Sequence, residues 1–270
     1  MPHPEKLLSV LLPSYQALPS IERAIESIAS AFPVEVVVAP DDGSQDYGFL
    51  EAKYPGLVKV LPPGQQTGPG AARNRAFAVA RGQFITMLDA DDAYAPGAVD
   101  EALDLAQSSS SQIAFFRTVY VDEGSRNVLR ELPPRPILNF QDLHDFQGSV
   151  HALYARRHWI PYQSLMSEDV LQDAQIMLAA GGQSRMTQAP YLLHLNSQSL
   201  CANTHQDEIN RAYRQIRDAA IEPQIKSLYQ AKLDMGNAYA ASLKEGAEMS
   251  FHGFLAHQSV ARRVAQPMTD

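Results

Sequence analysis

The stretch Phe84-Ile85-Thr86-Met87-Leu88-Asp89-Ala90-Asp91-Asp92 sets the reading of the whole chain. Its first five residues are apolar or β-branched, the composition of a buried strand. Three carboxylates then arrive within four positions. In an open α/β sheet, ligands collect at the carboxyl ends of the strands. Carboxylates crowded there repel one another unless a cation or a donor-rich ligand relieves them. Hard oxygens suit Mg2+ or Mn2+, ions that borrow further oxygens from a substrate phosphate. Taken alone, the stretch reads either as a metal–diphosphate site or as an acidic loop that caps the following helix.

Upstream, residues 7–12 form an apolar run stopped by Pro13, with Pro13-Ser14-Tyr15-Gln16 as the loop at its carboxyl end. A helix is predicted over about 20–31, where Ile21, Ile25, Ile28 and Phe32 recur at helical spacing before Pro33. Residues 34–38 and 57–61 read as strands, the first running into Asp41-Asp42-Gly43-Ser44. A Gly- and Pro-rich loop over 62–69 leads to a helix over 70–81, with Gly82 as its C-cap. Strands and helices alternating in this way imply crossovers and a mostly parallel sheet. The strand ends near Ser14, Asp42 and Asp89 are then expected on one edge.

Downstream, residues 96–107 read as a helix. Residues 113–121 read as a strand, paired as a hairpin with 127–132 across Asp122-Glu123-Gly124-Ser125. Pro133-Pro134-Arg135-Pro136 is a stiff connector. Ser167 is the expected N-cap of a helix to about residue 180, ended by Gly181-Gly182. Residues 191–195 read as a short strand. From about 206 to 244 the pattern is helical and rather polar, with a break at Glu222-Pro223.

The 270 residues are 45% hydrophobic, enough for a sizeable core, and carry a net charge of −8. That charge argues against a nucleic-acid surface, which needs a basic stripe. One cysteine, Cys201, allows no internal disulfide and no cysteine metal site. The polar start from Met1 to Lys6 does not read as a signal peptide, and no apolar run approaches a spanning helix. A cytoplasmic location is expected.

Four pieces stand in order: Pro13-Ser14-Tyr15-Gln16, Asp41-Asp42-Gly43-Ser44, Gly70-Ala71-Ala72-Arg73-Asn74 and Asp89-Ala90-Asp91-Asp92. Each is weak alone; together, at strand ends, they resemble the nucleotide-diphospho-sugar domain of family 2 glycosyltransferases. The resemblance covers about residues 7–108 and extends more loosely to 200, through Ser167-Glu168-Asp169 and Leu195-Asn196-Ser197-Gln198-Ser199. It departs at Gln16, where the family usually has Asn.

The resemblance implies a GT-A fold, α/β with a Rossmann-like, mostly parallel sheet flanked by helices. It implies a catalytic body over 1–200, with a nucleotide-sugar half (1–108) and an acceptor half (109–200), followed by a helical extension over 201–270. Pro13, Ser14 and Tyr15 would border the base or ribose, and Asp42 would accept from the base, since an ionised carboxylate suits an imide N–H. Gly70 and Arg73 would face the phosphates from a helix start, which favours anions. Asp89 would hold the ribose or the metal's water shell, with Ala90 beside it, and Asp91 would bind Mn2+ or Mg2+ directly, which neutralises the diphosphate leaving group. His194 would be a second metal contact, with His205 as the alternative. Glu168 and Asp169 would be the catalytic pair, Asp169 as the base that deprotonates the acceptor hydroxyl. His158 and Trp159 would line the acceptor pocket, unless Trp159 is simply core.

The activity so implied is inverting, metal-dependent transfer from a nucleotide-diphosphate sugar, UDP-linked by preference, to a glycan or lipid-linked acceptor in polysaccharide or lipopolysaccharide synthesis. A sugar nucleotidyltransferase would open with a Gly-rich loop where Pro13-Ser14-Tyr15-Gln16 stands. A non-catalytic binding or assembly module on the same fold is the alternative; it is disfavoured because Asp91 and Asp169 are both present. The helical tail interleaves Arg211, Arg214, Arg217 and Lys226 with Asp207, Glu208, Asp218 and Glu222. A solvated helix or a homodimer contact therefore suits it better than the inner membrane face, where peripheral binding would need a basic stripe.

Overall fold

The computed structural model of the chain describes residues 7–132, 135–146, 148–195, 204–245, 251 and 254–255. Met1 to Lys6, Pro133-Pro134, Asn196-Ser197-Gln198-Ser199 and Cys201 lie outside the described residues.

Strands β1 (Leu8–Ser14), β2 (Val34–Pro40) and β4 (Phe84–Met87) are buried along their whole length, as parallel strands covered by helices on both faces must be. β3 (Val58–Val60) lies outside β2. The sheet continues from β4 through β9 (Ala152–Ala155), β6 (Ile113–Asp122) and β10 (Gln183–Leu195) to β5 (Ala93–Tyr94). Its first half, β3-β2-β1-β4, is parallel. β9 runs antiparallel to β4 and β6, while β6 and β10 are parallel to each other. β7 (Val128–Glu131) folds back on β6 as the expected hairpin, and β8 (Ile137–Asn139) pairs with β10. Ser14 lies beside Pro40, and Leu11 beside Met87. The loops at 13–16, 41–44 and 88–92 therefore leave the sheet on one edge.

Side chains alternate between the two faces of the sheet. On one face Leu11, Val37, Ile85 and Met87 meet α3 (Pro69–Val79) and α6 (Glu168–Ala179). Ala72 and Ala76 let α3 lie close to the strands. The same cluster takes in Tyr213 and Ile216 of α7 (Gln206–Ala219) and Ile225, Leu228, Tyr229 and Leu233 of α8 (Pro223–Lys244). The Tyr229 hydroxyl donates to the Ser167 carbonyl at 2.9 Å, at the start of α6. On the other face Val10, Leu12, Val36 and Val38 meet α1 (Ile21–Glu26) and α4 (Ala98–Gln107).

Several local expectations are corrected. α1 ends at Glu26 because the Ser27 hydroxyl bonds back to the Ala24 carbonyl (2.6 Å) and accepts the Tyr94 amide of β5 (3.0 Å), taking the chain out of the helix. α3 starts at Pro69, after Gly68 at φ +93, and ends at Val79, with Ala80 rather than Gly82 as its C-cap. Gly82 serves instead as a close-packing point: a Cβ there would stand 2.4 Å from the Ser9 nitrogen. Ser167 stands at the N-cap of α6 at φ +67 and caps nothing with its side chain. The last strand runs over Gln183–Leu195, more than twice its expected length. Short α2 (Phe49–Lys53) and α5 (Asp142–Phe146) had no periodic signal.

Candidate active site

The turn after β2 separates its two aspartates. Asp41 is buried, and its carboxylate accepts the Thr67 and Gly68 amides at 3.1 and 3.0 Å. It thus ties the glycine-rich loop to the strand end and sets the start of α3. Asp42 is half-buried and closes a small turn on Ser44, accepting its amide (3.1 Å) and hydroxyl (2.6 Å). Tyr15 stands exposed on the rim, its hydroxyl accepting from Gln16 and Gln66 at 3.2 Å. Pro13 and Ser14 are buried at the end of β1. Arg75 donates to the Pro40 carbonyl (3.0 Å) and the Pro62 carbonyl (2.5 Å). A Cβ on Gly64 would lie 2.8 Å from the Asp41 carbonyl oxygen and 2.1 Å from the Arg75 guanidinium, so a side chain there would have to displace the backbone of the turn.

Arg73 is the buried cation of the site. Its Nη2 meets Asp89 at 2.5 Å, its Nη1 stands 3.6 Å from Glu168, and its guanidinium lies 5.0 Å from the centre of the Tyr162 ring. Burial alone would depress its pKa, but the charges of Asp89, Tyr162 and Asp169 hold it above the ordinary value. In return, Arg73 holds the Asp89 carboxyl below its usual range against the effect of burial. Tyr162 is placed by Asn74, whose amide group donates to its carbonyl and accepts its N–H, both at 2.9 Å.

α6 delivers both acidic residues. Glu168 is buried against Gly70, where a Cβ would come within 2.3 Å of its Oε2. Burial pushes its carboxyl up to about 7, against the pull of Arg73. Asp169 is half-buried and acts electrostatically on Arg73, His151 and Glu168. One turn on, Asp173 is buried and accepts from the Ser149 hydroxyl (2.6 Å) and the Val150 amide (2.9 Å). Burial pushes its carboxyl also to about 7.

Asp92 ties the loop to β10. It accepts the Tyr191 hydroxyl and the His194 amide, both at 2.7 Å. Burial, then the charges of Asp91 and Asp89, push its carboxyl well above the usual range. The structure directs the His194 imidazole to Glu123, with Nδ1 2.7 Å from Oε2. Glu123 also pairs with Arg23 at 2.6 Å, and Arg23 donates to the Asp91 carbonyl. Asp91, Arg23, Glu123, His194 and Asp92 so form a closed ring beneath the loop. Among the described residues, the group with metal-ligand spacing is Asp89, Asp92 and His151, whose ligand atoms lie within 4.8 Å of one another.

Trp159 stacks on Phe77 with ring centres 4.0 Å apart, and His158 Nε2 lies 2.8 Å from the Ser111 carbonyl. His205 precedes α7. Gly70 and Ala90 are buried, leaving their backbone close to the charged side chains.

A model of the family described as Glycosyl transferase family 2 matches residues 9–165. The chain belongs to this family. The succinoglycan biosynthesis protein ExoO of Rhizobium meliloti is 26% identical over 227 residues, covering 75% of this chain and 65% of ExoO. The Escherichia coli glucosyltransferase WfgD, named for transfer from UDP-Glc to GlcNAc-diphosphoundecaprenol, is 34% identical over 89 residues, 32% of this chain and 35% of WfgD. The chain thus spans less than two thirds of the length of either relative. TarS of S. aureus, solved with UDP-GlcNAc, superposes with a TM-score of 0.62 at 20% identity, covering 86% of this chain and 73% of that one. PcManGT of Pyrobaculum calidifontis, solved with GDP-Man and Mn2+, gives 0.53 at 17% identity, over 94% and 79%. These likenesses establish the glycosyltransferase GT-A fold, with C-terminal helices added.

Within that fold, the structure brings Arg73, Asp89 and the pair Glu168-Asp169 together from two helices and one strand end, although Asp89 lies 16 and the pair 95 and 96 positions beyond Arg73 in sequence. Sequence reasoning missed His151, Tyr162 and Asp173. A lone histidine, tyrosine or mid-helix aspartate carries no spacing signal. For Asp92 a signal existed: the apolar pair Ala93-Tyr94 follows it directly and draws it inward.

Proposed function

We propose that this family 2 glycosyltransferase moves a sugar from a nucleotide diphosphate, UDP by preference, to a hydroxyl of a glycan or lipid-linked acceptor, with inversion and with a divalent cation. The observation that carries the reading is the charged cluster Asp89–Arg73–Glu168, with Asp91 and Asp169 at its margin, on the edge where β1, β2 and β4 end.

Tyr15 and Asp42 border the base; the half-buried Asp42 offers an acceptor for an imide N–H. Arg73, at the start of α3 and held by Asp89, offers its charge to the diphosphate side. Asp89 and Asp91 would hold the cation, which when bound offsets the charge that develops on the leaving diphosphate. Asp169 removes the acceptor proton as that oxygen attacks the anomeric carbon from the face opposite the leaving group. Glu168 stays behind Asp169, packed on Gly70 and Arg73, and fixes the relation between the two helix starts.

Relatives named for succinoglycan and for a diphosphoundecaprenol-linked sugar support a role in polysaccharide assembly. A lipid-linked acceptor would be met at a membrane face; no described helix is long and apolar enough to cross one.

Asp91→Ala is expected to abolish cation-dependent nucleotide binding. Asp169→Asn is expected to bind nucleotide as the wild type does and to lose roughly 10²-fold or more of the transfer rate, the usual contribution of a general base. Equal loss of nucleotide affinity in both variants would contradict these roles.

A further inference from the structure

His151 has no part in the mechanism above, yet it is the least ordinary side chain of the site. It precedes β9 with φ +43, a left-handed conformation that few non-glycine residues adopt. Asp173 fixes the segment before it through Ser149 and Val150. Its ring lies flat on Tyr191, with centres 3.6 Å apart and planes within 8°. That stack leaves the ring edge, with its two nitrogens, to make the polar contacts. The side chain is only 7% exposed, and its Nδ1 is buried with no hydrogen-bond partner. A buried unsatisfied nitrogen on a strained backbone calls for a ligand.

The surroundings indicate what kind. A ring nitrogen of His151 and one carboxylate oxygen each of Asp89 and Asp92 lie within 4.8 Å of one another. Asp92 uses one lone pair on each oxygen, for Tyr191 and His194, and each oxygen keeps another. The Arg73 guanidinium meets Asp89 but no hydrogen bond joins it to Asp92 among the contacts of that carboxylate. A buried carboxylate and a half-buried one beside an acceptor nitrogen make a cation site, and one nitrogen among oxygens shifts preference toward first-row transition ions.

We propose that His151 is an inner ligand of the cation on which donor binding depends, joining Asp89 and Asp91 of the reading above, and that with Asp92 beside it the site has a mixed oxygen–nitrogen set that takes Mn2+ ahead of Mg2+. The proposal rests on the metal-dependent reading above. The Tyr191 stack then has a function: it orients the imidazole as outer partners orient metal-bound histidines. The ring of His194, turned to Glu123, positions the loop from outside and does not ligate.

The test is pulsed electron paramagnetic resonance of the full chain with one equivalent of Mn2+ and UDP, read for ¹⁴N coupling to the ion. The wild type is expected to show imidazole coupling. His194→Gln and His205→Gln are expected to retain it, and His151→Gln to lose it while its Mn2+ affinity falls about tenfold or more. Mg2+ affinity should change less than Mn2+ affinity in His151→Gln. Mn2+ that binds with UDP but without nitrogen coupling overturns the ligand assignment and leaves the proposed function standing. No Mn2+ binding with UDP overturns both. Coupling that persists in His151→Gln, or vanishes in His194→Gln alone, moves the ligand elsewhere. Should His151→Gln not fold, His151→Asn takes its place: loss of coupling with Mn2+ and UDP still bound supports the assignment, and persistence of coupling refutes it.

Discussion

Glu168 and Asp173 hold protons that they would release if the chain unfolded. Each carboxyl is raised by burial to about 7, from ordinary values of 4.5 and 3.8. A carboxyl that binds its proton more tightly in the folded state favours folding below that value. Between roughly pH 4 and pH 7 the unfolded chain loses these protons first, so stability falls as the pH rises through this window. Across this window Glu168 accounts for roughly 3 kcal/mol and Asp173 for roughly 4. Urea unfolding at pH 5 and pH 8 should show the fall in the wild type and a smaller fall in Asp173→Asn; an unchanged pH dependence in that variant would contradict the account. Gly70 sets a second residue-scale expectation. Gly70→Ala puts a Cβ on the Glu168 carboxylate, and because that carboxylate is also near Arg73, it is expected to weaken nucleotide binding as well as stability. Loss of stability with unchanged UDP affinity would separate Glu168 from the donor site. At this scale the sequence made the motif residues legible because their chemistry is compact. It hid Tyr162, Asp173 and His151 because each acts only through neighbours brought from other elements.

At the scale of elements, the parallel half of the sheet was readable because β1, β2 and β4 are continuous apolar runs between proline, glycine and acidic breaks. α4, with Val99, Ala102, Leu103 and Ala106 on one face, was readable for the same reason. β10 was not, because Ser184, Arg185, Thr187 and Gln188 fill its first half, and their partners on β6 and β8 are far away in sequence. The end of α1 depended on Ser27, whose hydroxyl is claimed by β5. The contact between α3 and the turn that follows β9 is carried by Phe77 and Trp159, which places Trp159 in packing. Trp159→Ala is expected to cost about 2–3 kcal/mol, less than for a fully buried Trp. Chemical denaturation measures this; a change of acceptor KM without loss of stability would instead return Trp159 to the acceptor pocket.

For the molecule as a whole, the composition change near residue 200 does not coincide with a break in the core. Tyr213, Ile216, Leu228 and Tyr229 share one apolar cluster with Leu11 and Met87. A chain truncated after residue 203 would expose that face and is expected to aggregate or to lose cooperative unfolding; a soluble, UDP-binding truncation would show the helices to be dispensable. Together the molecule is a sheet edge on which one guanidinium faces several carboxylates, a balance that a cation and a diphosphate complete. The most direct test is calorimetric titration of UDP, with GDP in parallel, in Mn2+ and then in chelator. Binding of UDP that appears with Mn2+ and vanishes with chelator is the predicted result. Binding of neither nucleotide in Mn2+, or UDP binding unchanged by chelator, would contradict the central claim.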